Sequence, residues 1–268
     1  MPLAARFNQK GRVIIMSETT DEPLTLAGAC AGTCWGADTK DHEKNFKRGL
    51  ECLRNGHGRT LEFAQIYMIL DGWSARVIRE FGRHLGGAPT YVQASTRYID
   101  YSDFNYVVPP LVERDESALE IYESTMEKIG MAAQQIENLG IKREDAGMML
   151  PLGMETKIVY RTNLRALIDM AKVRMCGRAY WEYRELMKEI LDALAIYSDE
   201  WEFLVREEKV FVPKCEHLSF CNERYSCGRK IKKEEFDKYK KLADYCFKKG
   251  IKFEEIDTMT VELSQKEG

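Results

Sequence analysis

The period of the apolar positions changes several times along the chain, and each change predicts an element. Val13 to Met16 is a short β-branched run and predicts a strand. Over 41–55, Phe46, Leu50 and Leu53 recur at helical spacing, with Gly56 just beyond as a stop. Phe63, Ile66, Tyr67 and Ile69 predict a strand over 61–70, and Asp71-Gly72 predicts the turn that ends it. Residues 73–84 read as an amphipathic helix, with Arg76, Glu80 and Arg83 on one face and Trp73, Val77 and Phe81 on another. Gly86-Gly87-Ala88-Pro89 stops it. Strand composition over 97–108 ends at Pro109-Pro110. A long helix is predicted over 117–138, with Ile121, Tyr122, Ile129, Ala133 and Ile136 on its buried stripe. Thr162 is the expected N-cap of a helix running to Arg174. A further helix over 179–197 carries Tyr183, Leu186, Ile190 and Leu194 on one stripe. Strands and helices do not alternate strictly, so the pattern predicts an α+β fold rather than a doubly wound sheet.

Beyond Val212-Pro213 the character changes to a cysteine-containing segment and a Lys/Glu-rich helix over 232–249. Two parts are therefore expected: a main domain over 1–209 and a C-terminal extension over 210–268. The 268 residues are ample for a hydrophobic core, and 44% hydrophobic with 31% charged residues excludes wholesale disorder. Forty Lys+Arg against 43 Asp+Glu argue against a general nucleic-acid coat but allow a local cationic pocket. The Lys-rich tail helix is interleaved with acids and reads as a solvated face. No apolar run is long enough for a transmembrane helix, and the start does not read as a secretory signal. A cytoplasmic protein with reduced thiols is expected.

Three polar groups could carry chemistry. The first runs from Arg83-His84 through Gly86-Gly87 to Gln93, Ser95, Arg97 and Tyr98. Glycines admit close backbone approach, and arginines offer planar forks, so the run suits an anionic planar ligand; the bland alternative is a solvated turn. The second is Asn163 to Asp169, continuing to Arg174. Asn163 and Arg174 fall within about 20° around a helix axis, while Arg165 and Asp169 could be a mere i,i+4 surface pair. The third is Cys215, His217, Cys221 and Cys227. Thiolates and an imidazole could bind zinc, but the spacing fits no standard finger, and free thiols are the favoured reading, with no metal expected. Cys30 and Cys34 read as structural.

The ordered blocks resemble the flavin-dependent thymidylate synthases. Gly56-His57 with Leu61-Glu62, Arg83-His84 with Ser95-Thr96-Arg97-Tyr98, Leu150-Pro151, Asn163-Leu164-Arg165-Ala166-Leu167 and Ala179-Tyr180-Trp181-Glu182-Tyr183-Arg184 follow the family's sequence over about residues 10 to 200. The chain departs from the pattern at Leu85 and Gly147, where arginines are usual, at Phe63 in place of His, and at Glu80 in place of Gln. The spacer before Ser95 is also longer than usual.

The resemblance implies reductive methylation of dUMP to dTMP, with methylenetetrahydrofolate as carbon donor and FAD, reduced by NADPH, as hydride source. It implies a homotetramer. It implies Arg174 and Ser95 as catalytic groups, and Arg83, His84, Asn163 and Arg165 as holders of FAD. Glu80, Gln93, Ser95, Arg97, Tyr98 and Arg174 are implied nucleotide contacts. Asp169 stands where the family has Asn, and His57 is a weaker candidate. No membrane or nucleic-acid partner is expected. Two other readings stay open. The substitutions at Glu80, Leu85 and Gly147 allow a flavin-dependent methylase of another pyrimidine nucleotide. The cysteines and lysines of the tail allow, less well, a non-catalytic nucleic-acid binder.

Overall fold

The structure is a computed structural model that describes residues 4–6, 11–84 and 89–250. Six strands are described: β1 (Ala4–Arg6), β2 (Arg12–Ile15), β3 (Gln65–Ser74), β4 (Thr90–Gln93), β5 (Phe104–Tyr106) and β6 (Glu155–Asn163). The helices, in chain order, are α1 (Pro23–Gly32), α2 (His42–Arg54), α3 (Gly58–Leu61), α4 (Ala75–Phe81), α5 (Pro110–Glu113), α6 (Glu116–Asn138), α7 (Arg143–Ala146), α8 (Leu164–Arg174), α9 (Trp181–Tyr197), α10 (Asp199–Glu202), α11 (Lys214–Leu218) and α12 (Lys233–Lys249). The chain divides into two compact units, 1–212 and 213–268. The fold is α+β.

The centre of the first unit is an antiparallel sheet of order β2-β3-β6-β4. Period-2 alternation sends Ile66, Met68 and Leu70 of β3 and Ile158 and Tyr160 of β6 to one face, where each is fully buried. Helices α4, α8 and α9 supply the other half of that core through Val77, Phe81, Leu167, Leu186, Ile190 and Leu194. Helices α1 and α2 pack backbone to backbone. A Cβ on Gly28 would lie 1.8 Å from the Asn45 carbonyl oxygen, and one on Gly49 would lie 1.9 Å from that of Leu24. The free amides at the start of α1 are capped from afar: the Glu200 carboxylate accepts from Leu24 N at 2.7 Å and Thr25 N at 3.1 Å.

Several elements differ from the sequence expectation. Leu61 ends α3, and the strand starts only at Gln65. Asp71-Gly72 does not end it; Gly72 takes a positive φ of 79°, forms a bulge, and pairing resumes at Trp73. Trp73 is thus a strand residue, its indole nitrogen donating to the Arg12 carbonyl, and the helix starts at Ala75. The strand expected over 97–108 shrinks to Phe104–Tyr106. Asp100 accepts from Ser102 N at 2.9 Å, a local turn that competes with sheet pairing. On α6 Ile121 is exposed, while Met126, Gly130 and Ala133 are buried; the Tyr122 hydroxyl donates to the Val107 carbonyl and sets the rotation of the helix. Asn163, not Thr162, caps α8: its side chain accepts from Ala166 N. Thr162 is buried in the sheet. The expected stop over 86–89 lies mostly outside the described residues, as does Leu85.

In the second unit α11 leads to a bridge between Cys221 and Lys232, and the Phe220 ring meets Phe236 of α12 at a tilt, with centroids 5.3 Å apart. Cys221 and Cys246 are buried and Cys227 is exposed. Among the described residues no group of three or more His, Cys, Asp or Glu is placed to hold a metal.

Candidate functional site

Helix α8 carries the second polar run, from its Asn163 cap to Arg174. Its N-terminus follows directly from β6 through the Asn163 cap, so its start is fixed by the sheet. Arg174 lies nine residues after Arg165, which places their Cα atoms about 13.5 Å apart along the axis. Asn163 and Arg174 lie at opposite ends, Asn163 as the extended N-cap outside the helical turns.

At the C-terminal end of α8, Arg174 is held on three sides. Its Nε donates to His84 Nε2 at 2.8 Å, and its Nη1 donates to Glu80 Oε2 at 3.0 Å. The guanidinium carbon sits 4.4 Å from the ring centroid of Tyr183. Only 16% of the Arg174 side chain is exposed, so this is a built position rather than a solvated arm. Because His84 Nε2 accepts, its proton resides on Nδ1 and the ring is neutral. Burial, and then the Arg174 charge, push the His84 pKa below its ordinary value. Burial also pushes the Tyr183 phenol far up, so it stays neutral. Phe81 stacks on Tyr183 at 5.6 Å and meets Tyr160 edge-on at 4.5 Å, which ties the group to the sheet.

Helix α4 presents Glu80, Gly82, Arg83 and His84 at its C-terminal end. Its other end is clamped by the buried Glu182 carboxylate, which accepts from Ser74 N at 2.7 Å and Ser74 Oγ at 2.5 Å. Ser74 in turn accepts from Val77 N as the N-cap. Burial raises the Glu182 pKa, and the Ser74 bonds partly offset it. Arg83 is exposed.

At the N-terminal end of α8, Arg165 Nη1 donates to Glu62 Oε1 at 2.6 Å and is half exposed. The Arg165 stem lies over Gly58, where a Cβ would stand 2.9 Å from Nε. His57 precedes that glycine and is exposed. The i,i+4 pair between Arg165 and Asp169, the bland alternative for these residues, does not form. Arg165 turns to Glu62 on α3's far side, and Asp169 pairs with Lys172 at 2.8 Å. Asn163 is buried and its side-chain oxygen is spent on the cap, so it fixes α8 and thereby Arg165.

The later part of the first polar run ends β4 and follows it. Gln93 Nε2 donates to Thr156 Oγ1 at 3.3 Å, and Ser95 Oγ accepts from Arg97 N at 3.2 Å. Arg97 pairs with Glu144 at 2.9 Å and sits 5.6 Å from the centroid of the exposed Tyr98 ring. Gly147, where the family usually carries arginine, faces the Thr96 carbonyl, and a Cβ there would meet only ordinary contacts at 3.5 Å. Arg143, one turn earlier, donates to the Tyr98 carbonyl and pairs with Glu137 at 3.2 Å.

The structure therefore brings Arg174, Glu80 and His84 into contact, sets Arg165 at the other end of the same helix, and leaves Gln93, Ser95, Arg97 and Tyr98 as a separate exposed group. Sequence reasoning missed three partners. Tyr183 read only as core because it lies on an apolar stripe. Glu182 reads as surface in any local window and is buried by tertiary contact. Glu62 was visible only as a motif residue, without its pairing to Arg165.

One helix thus carries a guanidinium at each end, Arg165 half exposed over Gly58 and Arg174 mostly buried against Glu80, His84 and Tyr183, on an α+β frame, an arrangement suited to anionic, planar ligands. Residues 15–196 match the family described as thymidylate synthase complementing protein. The flavin-dependent thymidylate synthase of Nitratidesulfovibrio vulgaris is 30% identical over 239 residues, 78% of this chain and 91% of that protein. The flavin-dependent thymidylate synthase of Pyrococcus furiosus is 29% identical, covering 87% of this chain and 98% of its own. This chain belongs to the flavin-dependent thymidylate synthase family. Among solved structures, thymidylate synthase X from Helicobacter pylori with FAD and dUMP aligns at a TM-score of 0.58 and 21% identity, over 74% of this chain and 99% of that one. The UMP/dUMP methylase PolB from Streptomyces cacaoi aligns at 0.61 and 18%, over 75% and 97%. Both share the fold.

Proposed function

We propose that this chain converts dUMP to dTMP by reductive methylation, with methylenetetrahydrofolate as carbon donor and FAD reduced by NADPH. The observation that carries the reading is the Arg174 guanidinium, fixed by Glu80, His84 and the Tyr183 face in a chain of this family. A guanidinium has five donors, and those two bonds use only part of the set. The remainder can meet a uracil carbonyl and stabilise the negative charge that grows there as C5 turns nucleophilic. Holding the cation beforehand avoids reorganisation during the step. His84 and Glu80 act by orienting Arg174 as well as by lining the site. Gln93, Ser95, Arg97 and Tyr98 would grip the nucleotide.

The residues present suit FAD. Arg83 and Arg165 are exposed cations matched to a pyrophosphate, and Gly58 leaves the room that Arg165 occupies. When bound, FAD supplies the hydride. His84 and Asn163 complete that holding set, Asn163 through the helix start it fixes. Helix α4 and the Arg165 region present their polar groups outward, so we place them at a boundary between protomers of a homotetramer in the cytoplasm. An unpartnered row supports association: Ile14, Ile69, Val159 and Val92 stand in register across all four strands of the sheet's open face, with Ile14, Val159 and Val92 exposed. The catalytic part is assigned to 1–209. Among the described residues no helix is long and apolar enough to cross a membrane.

The test is direct. Purified protein with FAD, dUMP, methylenetetrahydrofolate and NADPH under anaerobic conditions is expected to yield dTMP, and the gene is expected to rescue a thymidine-requiring bacterium. Flavin reduction by NADPH without dTMP, combined with methylation of another pyrimidine nucleotide, would move the assignment to that substrate.

A further inference from the structure

A cleft of about 480 Å³ lies beside the Arg165 group and is used by nothing described so far. Its lining includes Trp35 from the turn after α1, Lys44, Lys47, Arg48 and Glu51 of α2, and His57 just beyond that helix. Its size falls in the range that holds a drug-sized ligand. Part of the lining is the Trp35 indole, 68% exposed and so open to stacking by a planar group. Lys44, Lys47 and Arg48 make the rest of the lining largely cationic.

Arg48 is the built part of that cationic lining. Its Nη1 donates to the Gly28 carbonyl at 3.0 Å and to Asn45 Oδ1 at 2.8 Å, both neutral acceptors. Gly32 makes the space, since a Cβ there would stand 2.6 Å from Nη1. The guanidinium is thus pinned by hydrogen bonds from the tight α1–α2 contact. Lys44 and Lys47 flank it. Their partners, Asp41 at 2.9 Å and Glu43 at 2.5 Å, form exposed pairs three and four residues away on the same helix. Such pairs are weak and give way readily to an incoming anion. Glu51 is the one carboxylate in the lining. His57 closes the end of the cleft, and its neighbour Gly58 underlies Arg165. The cleft is therefore continuous along the chain with the residues assigned to the flavin.

We propose that this cleft is a subsite for the aromatic-anionic tail of the folate cosubstrate, with the aminobenzoyl ring against Trp35 and an oligo-γ-glutamate chain along Lys44, Lys47 and Arg48. The assignment rests on the proposed function for the identity of the cosubstrate. Each added glutamyl unit brings one carboxylate, so affinity rises with chain length, and salt erodes the gain because the lysines are exposed.

The experiment measures dissociation constants of the FAD-loaded protein for pteroylmonoglutamate and pteroylpentaglutamate, with the wild type and the double variant Lys44→Ala/Lys47→Ala. The variant keeps Asp41 as the cap of α2, whose bond is to the Lys44 backbone nitrogen. The wild type is expected to prefer the pentaglutamate by about three- to ten-fold at low salt, as two exposed ion pairs allow. The variant is expected to lose that preference while binding the monoglutamate as before. Equal affinity for both chain lengths in the wild type, a preference that survives in the variant, or no binding of either ligand would each overturn the proposal. Production of dTMP with the monoglutamyl cosubstrate is scored separately. Its absence alongside an intact, lysine-dependent length preference would refute the reaction and not the subsite.

Discussion

Removing the Glu182 carboxylate should both loosen the fold and disorder the site. The side chain is 1% exposed and accepts two bonds from Ser74, which itself caps α4. Hydrogen bonds to a charged acceptor are worth roughly 1.5–3 kcal/mol each, and a bare buried donor adds its own desolvation cost. Glu182→Ala also leaves a cavity, while water entering it recovers part of the loss. A net cost of about 3–4 kcal/mol is expected, which for a unit of this size corresponds to a drop in Tm of roughly 6–16 °C. Glu182→Gln keeps an acceptor for Ser74 N and should lose about half as much. The pH dependence has a definite sign. Burial raises the folded-state pKa of Glu182 above its unfolded value, so the folded state holds more protons in the window above about pH 4.3. Stability contributed by this group falls as pH rises through that window, and Glu182→Gln removes the slope. Urea denaturation at pH 5 and pH 8, with a flavin-binding titration alongside, measures all of this. A loss below about 1 kcal/mol for Glu182→Ala, or an unchanged slope in Glu182→Gln, would refute the clamp.

Four other outcomes follow from the site. Arg174→Ala should cut turnover by about 10²–10³-fold or more while flavin stays bound, and near-normal turnover would remove Arg174 from the chemistry. Arg165→Ala should release flavin on dialysis; an unchanged flavin content counts against its role. Glu80→Gln should tighten dUMP binding, because the carboxylate now neutralising Arg174 repels an anionic substrate, and weaker binding would show that Glu80 itself grips the nucleotide. His84 has a folded-state pKa below its unfolded value of about 6.5, so its contribution to stability is intact above that pH and is lost as the pH falls further. His84→Asn should flatten the fall in Tm between pH 7 and pH 5, and an identical profile would mean that other groups set it.

Ordered motif blocks identified the family from the chain alone because each block is local: Arg83-His84, Asn163 to Leu167 and Ala179 to Arg184 are contiguous runs. Periodicity likewise placed α2, α8 and α9, and the stripes of α8 and α9 at Leu167, Ile168, Leu186, Ile190 and Leu194 are buried as the 3.6-residue repeat requires. Tertiary structure decided what each charged group faces. Arg174 takes its partners from residues 80, 84 and 183, and Arg165 takes Glu62 rather than the neighbour one turn away. It also decided where β3 begins and that Gly72 bulges instead of turning, since pairing with β6 on one side and β2 on the other outweighs a local turn signal. Helix and strand type follow from steric preferences within a few residues. The choice of partner by Arg174 and Arg165 and the burial of Glu182 depend on segments far apart in sequence meeting in space, and no local window contains that information.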